Sequence, residues 1–122
     1  MNAASEPVVL GIVGPCAAGK STLVRQLRQA GYQARHIAQE HSFAPAMWQR
    51  INPPDCLIFL DVSFPISMQR RPDPRWTLRE YEAQQQRLRH AREHADFYLL
   101  TDRLTPEQVY QQVLSFLSGF NG

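Results

Sequence analysis

The chain has 122 residues, of which 43% are hydrophobic and 20% are charged, values typical of one soluble globular domain. A net charge of +2 is too small to indicate a nucleic-acid partner. No apolar run approaches the roughly 20 residues that cross a bilayer, and residues 1–7 lack the features of a signal peptide. We therefore expect a single cytoplasmic domain over residues 1–122 without a membrane partner, with Cys16 and Cys56 as reduced thiols.

The first half of the chain alternates between strand and helix patterns. A short apolar run predicts a buried strand over residues 8–13. Apolar positions at helical spacing predict a helix over residues 20–30. A weaker alternation predicts a second strand over residues 33–39, followed by two turns of helix over residues 45–51. Residues 56–62 are the clearest predicted strand in the chain.

The second half of the chain continues this alternation. Prolines end a short helix predicted over residues 65–71, and a long polar helix is predicted over residues 77–94. A last strand is expected over residues 96–101. The final helix is predicted to begin at Thr105, which forms a capping box with Gln108. This order predicts an α/β fold with a mainly parallel sheet of about four strands and helices on both faces.

The link between the first strand and the first helix has the pattern Gly-x-x-x-x-Gly-Lys-Ser, which is typical of a phosphate-binding P-loop. Its glycines allow backbone N–H groups to turn toward phosphate oxygens, and the helix start attracts the same anion. Lys20 brings a cation to the β and γ phosphates, and Ser21 offers a hydroxyl to Mg²⁺. The residues predicted to bind a triphosphate are Gly14, Pro15, Cys16, Ala17, Ala18, Gly19, Lys20, Ser21 and Thr22.

Four segments resemble the nucleoside and nucleotide kinases, which are small-molecule kinases of the P-loop containing nucleoside triphosphate hydrolase superfamily. These segments are GPCAAGKST, PDCLIFLDVS, QRRPDPRW and ADFYLLTDRLTPEQV. The resemblance implies a three-layer α/β/α sandwich. It also implies that residues 69–76 form a small lid, whose Arg70, Arg71 and Arg75 close over the phosphates. Arginines in that place stabilise the charge of a transferring phosphoryl group.

The same resemblance implies a nucleoside triphosphate, ATP or GTP, as the ligand, with Mg²⁺ beside it. The loop after the last predicted strand, which contains Asp102 and Arg103, is then expected near the base of the nucleotide. Regulatory GTPases and transport ATPases fit the sequence less well. Their Asn-Lys-x-Asp and Leu-Ser-Gly-Gly motifs do not occur in it.

Kinases of this type have five core strands, whereas the sequence predicts four. The missing segment is where such kinases place a metal-associated carboxylate, and two residues are candidates for that role. Asp61 ends the apolar strand LIFLD, and Glu40 ends the strand that follows the first helix. Either carboxylate would contact Mg²⁺ through water or act as a general base, and Glu40 is preferred because its strand is expected beside the first strand. The adjacent His41 is either a proton-transfer group or a surface residue.

Three functions are compatible with these patterns. The leading one is an ATP-dependent kinase that acts on a small molecule. The second is a non-catalytic nucleotide-binding module, a sensor or a partner subunit, on a shortened kinase fold. The third is an interaction protein that keeps the fold without the ligand. For the kinase, the catalytic candidates are Lys20, Glu40, Arg71 and Arg75, and the metal contacts are Ser21, Glu40 and Asp61.

Overall fold

A computed structural model describes residues 8–50 and 52–120. In these ranges, four strands and four α-helices follow one another along the chain. The strands are β1 (Val9–Val13), β2 (Gln33–His36), β3 (Cys56–Asp61) and β4 (Phe97–Leu100). The helices are α1 (Lys20–Gln29), α2 (Phe64–Arg70), α3 (Leu78–His94) and α4 (Pro106–Ser118). Two 3₁₀ turns, Gln39–His41 and Met47–Gln49, lie between β2 and β3.

The strands form one sheet in the order β2-β1-β3-β4, and every neighbouring pair is parallel. The predicted α/β fold with a four-stranded parallel sheet is therefore confirmed. In the register of the sheet, Ile12 of β1 lies between His36 of β2 and Ile58 of β3. The carboxyl ends of parallel strands meet at one edge, where ligands of such sheets bind.

Helices cover both faces of this sheet. On one face, Leu27 of α1 and Val113 of α4 belong to the same core cluster as Ile58 of β3. On the other face, Leu88 of α3 packs in a second cluster with Phe59, the next residue of β3. Because both sides of β3 are covered, every residue of that strand is buried. This explains why the strand is apolar almost throughout instead of alternating.

The second strand is shorter than the sequence predicts. It ends at His36, since the Gln39 N–H donates to the Ile37 carbonyl at 2.9 Å and closes a tight turn. The prediction that Glu40 ends a strand is therefore wrong. Glu40 lies in the 3₁₀ turn that follows, and it still sits beyond the carboxyl end of a strand that pairs with β1.

The helix predicted over residues 45–51 is also wrong in length. Only the single turn Met47–Gln49 forms, and residue 51 lies outside the described ranges. The buried side chain of Gln39 explains the difference. Its Oε1 accepts the Trp48 N–H at 2.9 Å, and this bond takes the place of a helical one.

The ends and lengths of the helices follow the sequence closely elsewhere. Thr105 Oγ1 accepts the Gln108 N–H at 3.1 Å, and the Gln108 side chain accepts the Thr105 N–H at 2.9 Å. The predicted capping box at the start of α4 is thus confirmed. Thr77 caps α3 by accepting the Glu80 N–H at 3.3 Å. Among the described residues, no helix combines the length and the apolar character needed to cross a membrane.

Candidate functional site

The segment between β1 and α1, residues 14–19, turns sharply at the carboxyl edge of the sheet, and we call it the glycine-rich loop. Gly14 has a φ angle of +151°, and a Cβ there would lie 1.9 Å from the Leu60 carbonyl oxygen. Only glycine fits this close approach to β3. Gly19 has a φ angle of +97°, and Ala17 adopts a φ angle of +70°. The left-handed conformation at Ala17 costs about 1 kcal/mol or more, so surrounding contacts must hold it.

The first turn of α1 directs backbone N–H groups toward the glycine-rich loop. No side chain of the described residues caps this helix, and its first turn has no acidic residue. The first N–H groups of a helix lack acceptors within the helix, and they form the positive end of its dipole. Ser21 is exposed on this turn. The arrangement can therefore bind an anion through backbone groups, with the Ser21 hydroxyl nearby.

The side chain of Lys20 folds back into the glycine-rich loop and is only 6% exposed. Its Nζ donates to the carbonyl oxygens of Gly14 at 2.5 Å and Pro15 at 3.0 Å. It also donates to Oε2 of Glu40 at 2.9 Å. These three bonds match the three protons of an ammonium group. The loop thus holds a positive charge beside the free N–H groups of α1.

Glu40 is the buried carboxylate of this site, with 2% of its surface exposed. Its Oε2 accepts the bond from Lys20, whereas its Oε1 has no hydrogen-bond partner among the described residues. Arg87 of α3 holds the 3₁₀ turn that contains Glu40. Its guanidinium donates to the Glu40 carbonyl at 3.1 Å, and its own carbonyl accepts from the Gln39 side chain at 3.2 Å. A buried polar atom without a partner costs about 1–3 kcal/mol. The site therefore favours an added donor or cation at Oε1.

Two histidines flank the same carboxylate. The Nε2 atoms of His36 and His41 lie 3.7 Å and 3.8 Å from Oε2 of Glu40. Burial lowers the pKa of His36, the charge of Lys20 lowers it further, and Glu40 opposes both effects only in part. His36 is consequently neutral at neutral pH, and it adds no positive charge to the pair formed by Lys20 and Glu40.

Asp61, the other candidate carboxylate, is fully engaged by its surroundings. Its Oδ1 accepts the Val62 N–H at 2.9 Å and the Gln85 amide at 3.2 Å. Its Oδ2 accepts from Arg92 at 3.1 Å and from the Tyr98 hydroxyl at 2.6 Å. Burial and the bond to Asp61 raise the pKa of Tyr98, so the hydroxyl keeps its proton. Asp61 thus joins β3 to α3 and β4.

Arg70, at the end of α2, is the arginine of the predicted lid that contacts the glycine-rich loop. Its Nη1 donates to the Ala17 carbonyl at 3.0 Å and to the Thr101 hydroxyl at 2.9 Å. Its Nη2 donates to the Thr101 carbonyl at 2.5 Å. Arg70 therefore ties the loop to the segment that follows β4, and its bond to the Ala17 carbonyl supports the strained conformation there.

The other two arginines of the predicted lid, like Arg70, are exposed. Arg75 is 89% exposed and pairs with Asp73 through Nη2 at 3.0 Å and Nε at 3.2 Å. This pair holds the pKa of Asp73 below its usual value. Arg71 follows α2 directly and is exposed. The indole N–H of Trp76 donates to the Ser67 hydroxyl at 2.8 Å. This bond holds the last residue of the predicted lid against α2.

A cavity of about 270 Å³ opens between the glycine-rich loop, α1 and the start of α4. Its lining is apolar at Leu23, Leu104 and Val109, and it is polar at Arg70 and Thr101. The volume is close to the lower end of the range for small-molecule pockets, about 300 Å³. An apolar wall with a few polar groups suits one face of a planar ring.

The two residues predicted near a nucleotide base do not line this cavity, although they follow Thr101 directly. Asp102 instead accepts the Ser63 N–H at 2.8 Å and joins the segment after β4 to the start of α2. Arg103 is exposed. Thr101 is thus the residue of this segment that the structure brings to the cavity.

A second cavity of about 310 Å³ has no lining residue in common with the first. Cys16 of the glycine-rich loop and His41 of the turn after β2 contribute to its lining. Arg71, Arg75 and Trp76 contribute from the predicted lid. The glycine-rich loop therefore borders two cavities, a mainly apolar one and one with several charged side chains.

Gln84 of α3 is a site residue that the sequence did not indicate. It is almost fully buried, and its Oε1 accepts the Cys16 N–H at 3.0 Å. Its Nε2 donates to Cys16 Sγ at 3.1 Å, so both halves of the amide hold the glycine-rich loop against α3. One signal was available: Gln84 lies four and seven residues before the buried Leu88 and Ala91, on the apolar side of its helix.

Comparison with protein-family models and with curated proteins gives no match to this chain. The site is therefore defined by its geometry. The structure brings Lys20, Glu40 and Arg70 to the glycine-rich loop, whereas Asp61 and Asp102 bond to other parts of the fold.

Proposed function

We propose that this protein is a P-loop kinase, which binds a nucleoside triphosphate with Mg²⁺ and transfers the γ-phosphoryl group to a small molecule. The observation that carries the proposal is the buried Lys20 at the start of an uncapped helix. Its ammonium group bonds to two loop carbonyls and to Glu40. Phosphate oxygens can replace those carbonyls as acceptors while the helix N–H groups bind the same anion.

The choice of lysine at this position supports the proposal. Lys20 is the only lysine among the 13 Lys and Arg residues of the sequence. A compact ammonium fits inside a tight loop and turns its three protons freely, whereas a planar guanidinium does not. Arginine occupies all the remaining Lys and Arg positions, so the single lysine lies where P-loop chemistry requires an ammonium group.

The residues present also fit Mg²⁺. This ion takes oxygen ligands and keeps several of its waters, so one hydroxyl and one water-linked carboxylate suffice on the protein side. Ser21 and the unpartnered Oε1 of Glu40 are the groups that would hold it. Mg²⁺, when bound, neutralises charge on the phosphates. Asp61 is not assigned to the metal, because each of its oxygens already accepts two hydrogen bonds.

The two cavities beside the loop suit the two substrates of a kinase. The apolar cavity at Leu23 and Val109 fits the base of a nucleotide, with ATP and GTP both compatible. The charged cavity at His41 and Arg71 fits an acceptor molecule. His41 is 59% exposed in its side chain, which allows it to accept the proton that an attacking hydroxyl releases.

The test has two steps. The first is calorimetric titration with ATP, GTP and ADP in the presence of Mg²⁺, on the wild type and on Lys20→Ala. Arg25→Ala, an exposed residue on the same helix, is the matched control. We expect binding in the wild type and the control, with a loss of at least about 100-fold in Lys20→Ala, equivalent to about 2.7 kcal/mol. No binding of any nucleotide would contradict the proposal.

The second step measures phosphoryl transfer from the bound nucleotide across a panel of nucleosides, nucleotides and sugars. Transfer to one class supports the kinase. Binding without transfer favours a non-catalytic nucleotide-binding module. The exposed bidentate pair of Arg75 with Asp73 favours this second candidate, because the guanidinium already has a carboxylate partner two residues away.

A further inference from the structure

Three potential metal ligands converge beside the glycine-rich loop. Cys16 Sγ, a carboxylate oxygen of Glu40 and a ring nitrogen of His41 all lie within 4.8 Å of one another. Cys16 comes from the loop, and the other two residues come from the turn after β2. Glu40 is buried, Cys16 is half-buried and His41 is exposed, so the group opens to solvent on the side of His41.

These donors differ from those that Mg²⁺ prefers. A thiolate, an imidazole and a carboxylate together favour Zn²⁺ or a similar borderline-soft ion. Tetrahedral zinc ligands lie about 3.3–3.8 Å apart, given metal-to-ligand distances of about 2.0–2.3 Å. The observed ligand atoms lie at most 4.8 Å apart, so a shift of about 1 Å or less brings them to these separations, and the exposed His41 side chain can rotate toward the other two ligands.

A second observation points to a cation at the carboxyl group of Glu40. The buried Oε1 of Glu40 has no hydrogen-bond partner among the described residues, while Oε2 is held by Lys20. His36 Nε2 is another nitrogen close to this carboxylate, 3.7 Å from Oε2. The ammonium of Lys20 repels a metal ion, which makes the site reversible instead of permanently filled.

We propose that Cys16, Glu40 and His41 form a reversible Zn²⁺ site at the glycine-rich loop. The Cys16 thiol releases its proton to solvent as the S–Zn bond forms, and the amide of Gln84 gives up its contact with the sulfur. His41 contributes a ring lone pair, Glu40 contributes a carboxylate oxygen, and water or His36 fills the fourth position. The Zn²⁺ site shares Glu40 with the proposed Mg²⁺ site but differs from it in the other ligands, because Mg²⁺ arrives with phosphates and has little affinity for a thiolate.

The test uses the full chain and the metal alone, so it does not depend on nucleotide binding. Zn²⁺ is titrated against a chromogenic chelator with the wild type, Cys16→Ser and His41→Ala. The controls are Cys56→Ser, which alters the other cysteine, and His94→Ala, which alters an exposed histidine of α3. We expect one Zn²⁺ per wild-type chain, with affinity at least about tenfold weaker in the first two variants and unchanged in the controls.

Co²⁺ provides a spectroscopic check on the ligands. We expect a thiolate-to-cobalt charge-transfer band in the wild type and in His94→Ala, and its absence from Cys16→Ser. Equal Zn²⁺ affinity in the wild type and Cys16→Ser, or a band that persists without Cys16, would overturn the proposal. His41 is exposed, so His41→Ala is expected to fold even if a change at Cys16 disturbs the loop. Unchanged zinc affinity in that variant would also overturn it.

Discussion

Two buried carboxylates lie at the carboxyl ends of the strands that flank β1, and they differ in how their oxygens are used. Asp61 ends β3, and both of its oxygens accept two hydrogen bonds. Glu40 follows β2, and one of its oxygens has no partner among the described residues while the other holds Lys20. Burial alone therefore does not distinguish a structural carboxylate from a functional one. An unpartnered buried oxygen is the distinguishing feature, because its energetic cost is recovered if a donor or a cation binds to it.

The largest effect in this comparison is expected from Asp61→Asn. The change removes the charge that Arg92 and Tyr98 share, and it places an amide donor against them. We expect the free energy of unfolding to fall by about 3 kcal/mol, measured by urea denaturation. Any nucleotide affinity that remains in the folded protein should keep its dependence on Mg²⁺. A variant as stable as the wild type would contradict the structural role of Asp61.

Glu40→Gln is the matched change at the other carboxylate. It keeps the shape and one acceptor for Lys20 but removes the charge beside the proposed Mg²⁺. We expect the affinity for ATP with Mg²⁺ to fall about tenfold, or about 1.4 kcal/mol, in calorimetric titrations. Without Mg²⁺ the affinity should stay the same or rise, since Lys20 is held less tightly. If Mg²⁺ strengthens ATP binding equally in Glu40→Gln and in the wild type, Glu40 does not serve the metal.

A smaller effect is expected from Tyr98→Phe, which removes one of the four hydrogen bonds to Asp61. The aromatic stacking on Phe59 is retained, because the ring is unchanged. We expect a loss of about 1 kcal/mol in the free energy of unfolding and no change in nucleotide affinity. Altered nucleotide affinity at unchanged stability would show that the Asp61 cluster belongs to the ligand site after all.

The order of the elements and the place of Glu40 were predictable from the sequence. Short apolar runs between helical patterns indicate a parallel sheet, and a residue just beyond the strand beside β1 lies at the carboxyl edge. Although β2 ends earlier than predicted, Glu40 still lies at the carboxyl edge of the sheet, within a 3₁₀ turn. The capping box of Thr105 and Gln108 was also predictable, because its two residues lie three positions apart and form a local signal.

The long-range contacts were not predictable. Gln84 meets Cys16 across 68 residues, and Arg92 meets Asp61 across 31, so no local pattern links these partners. The choice between Glu40 and Asp61 depended on such contacts, because only the folded chain shows which carboxylate is already engaged.

Whether the glycine-rich loop binds a nucleoside triphosphate is tested most directly by labelling Lys20. The reagent is an acyl-phosphate derivative of ATP, and peptide mass spectrometry identifies the labelled residue. The reagent transfers its acyl group to an amine held near the phosphates and releases the nucleotide. Because Lys20 is the only lysine in the sequence, a labelled lysine identifies the site without ambiguity. We expect Lys20 to be labelled and excess ATP with Mg²⁺ to prevent the labelling. An unlabelled Lys20, or labelling that excess ATP does not reduce, would contradict nucleotide binding at this loop.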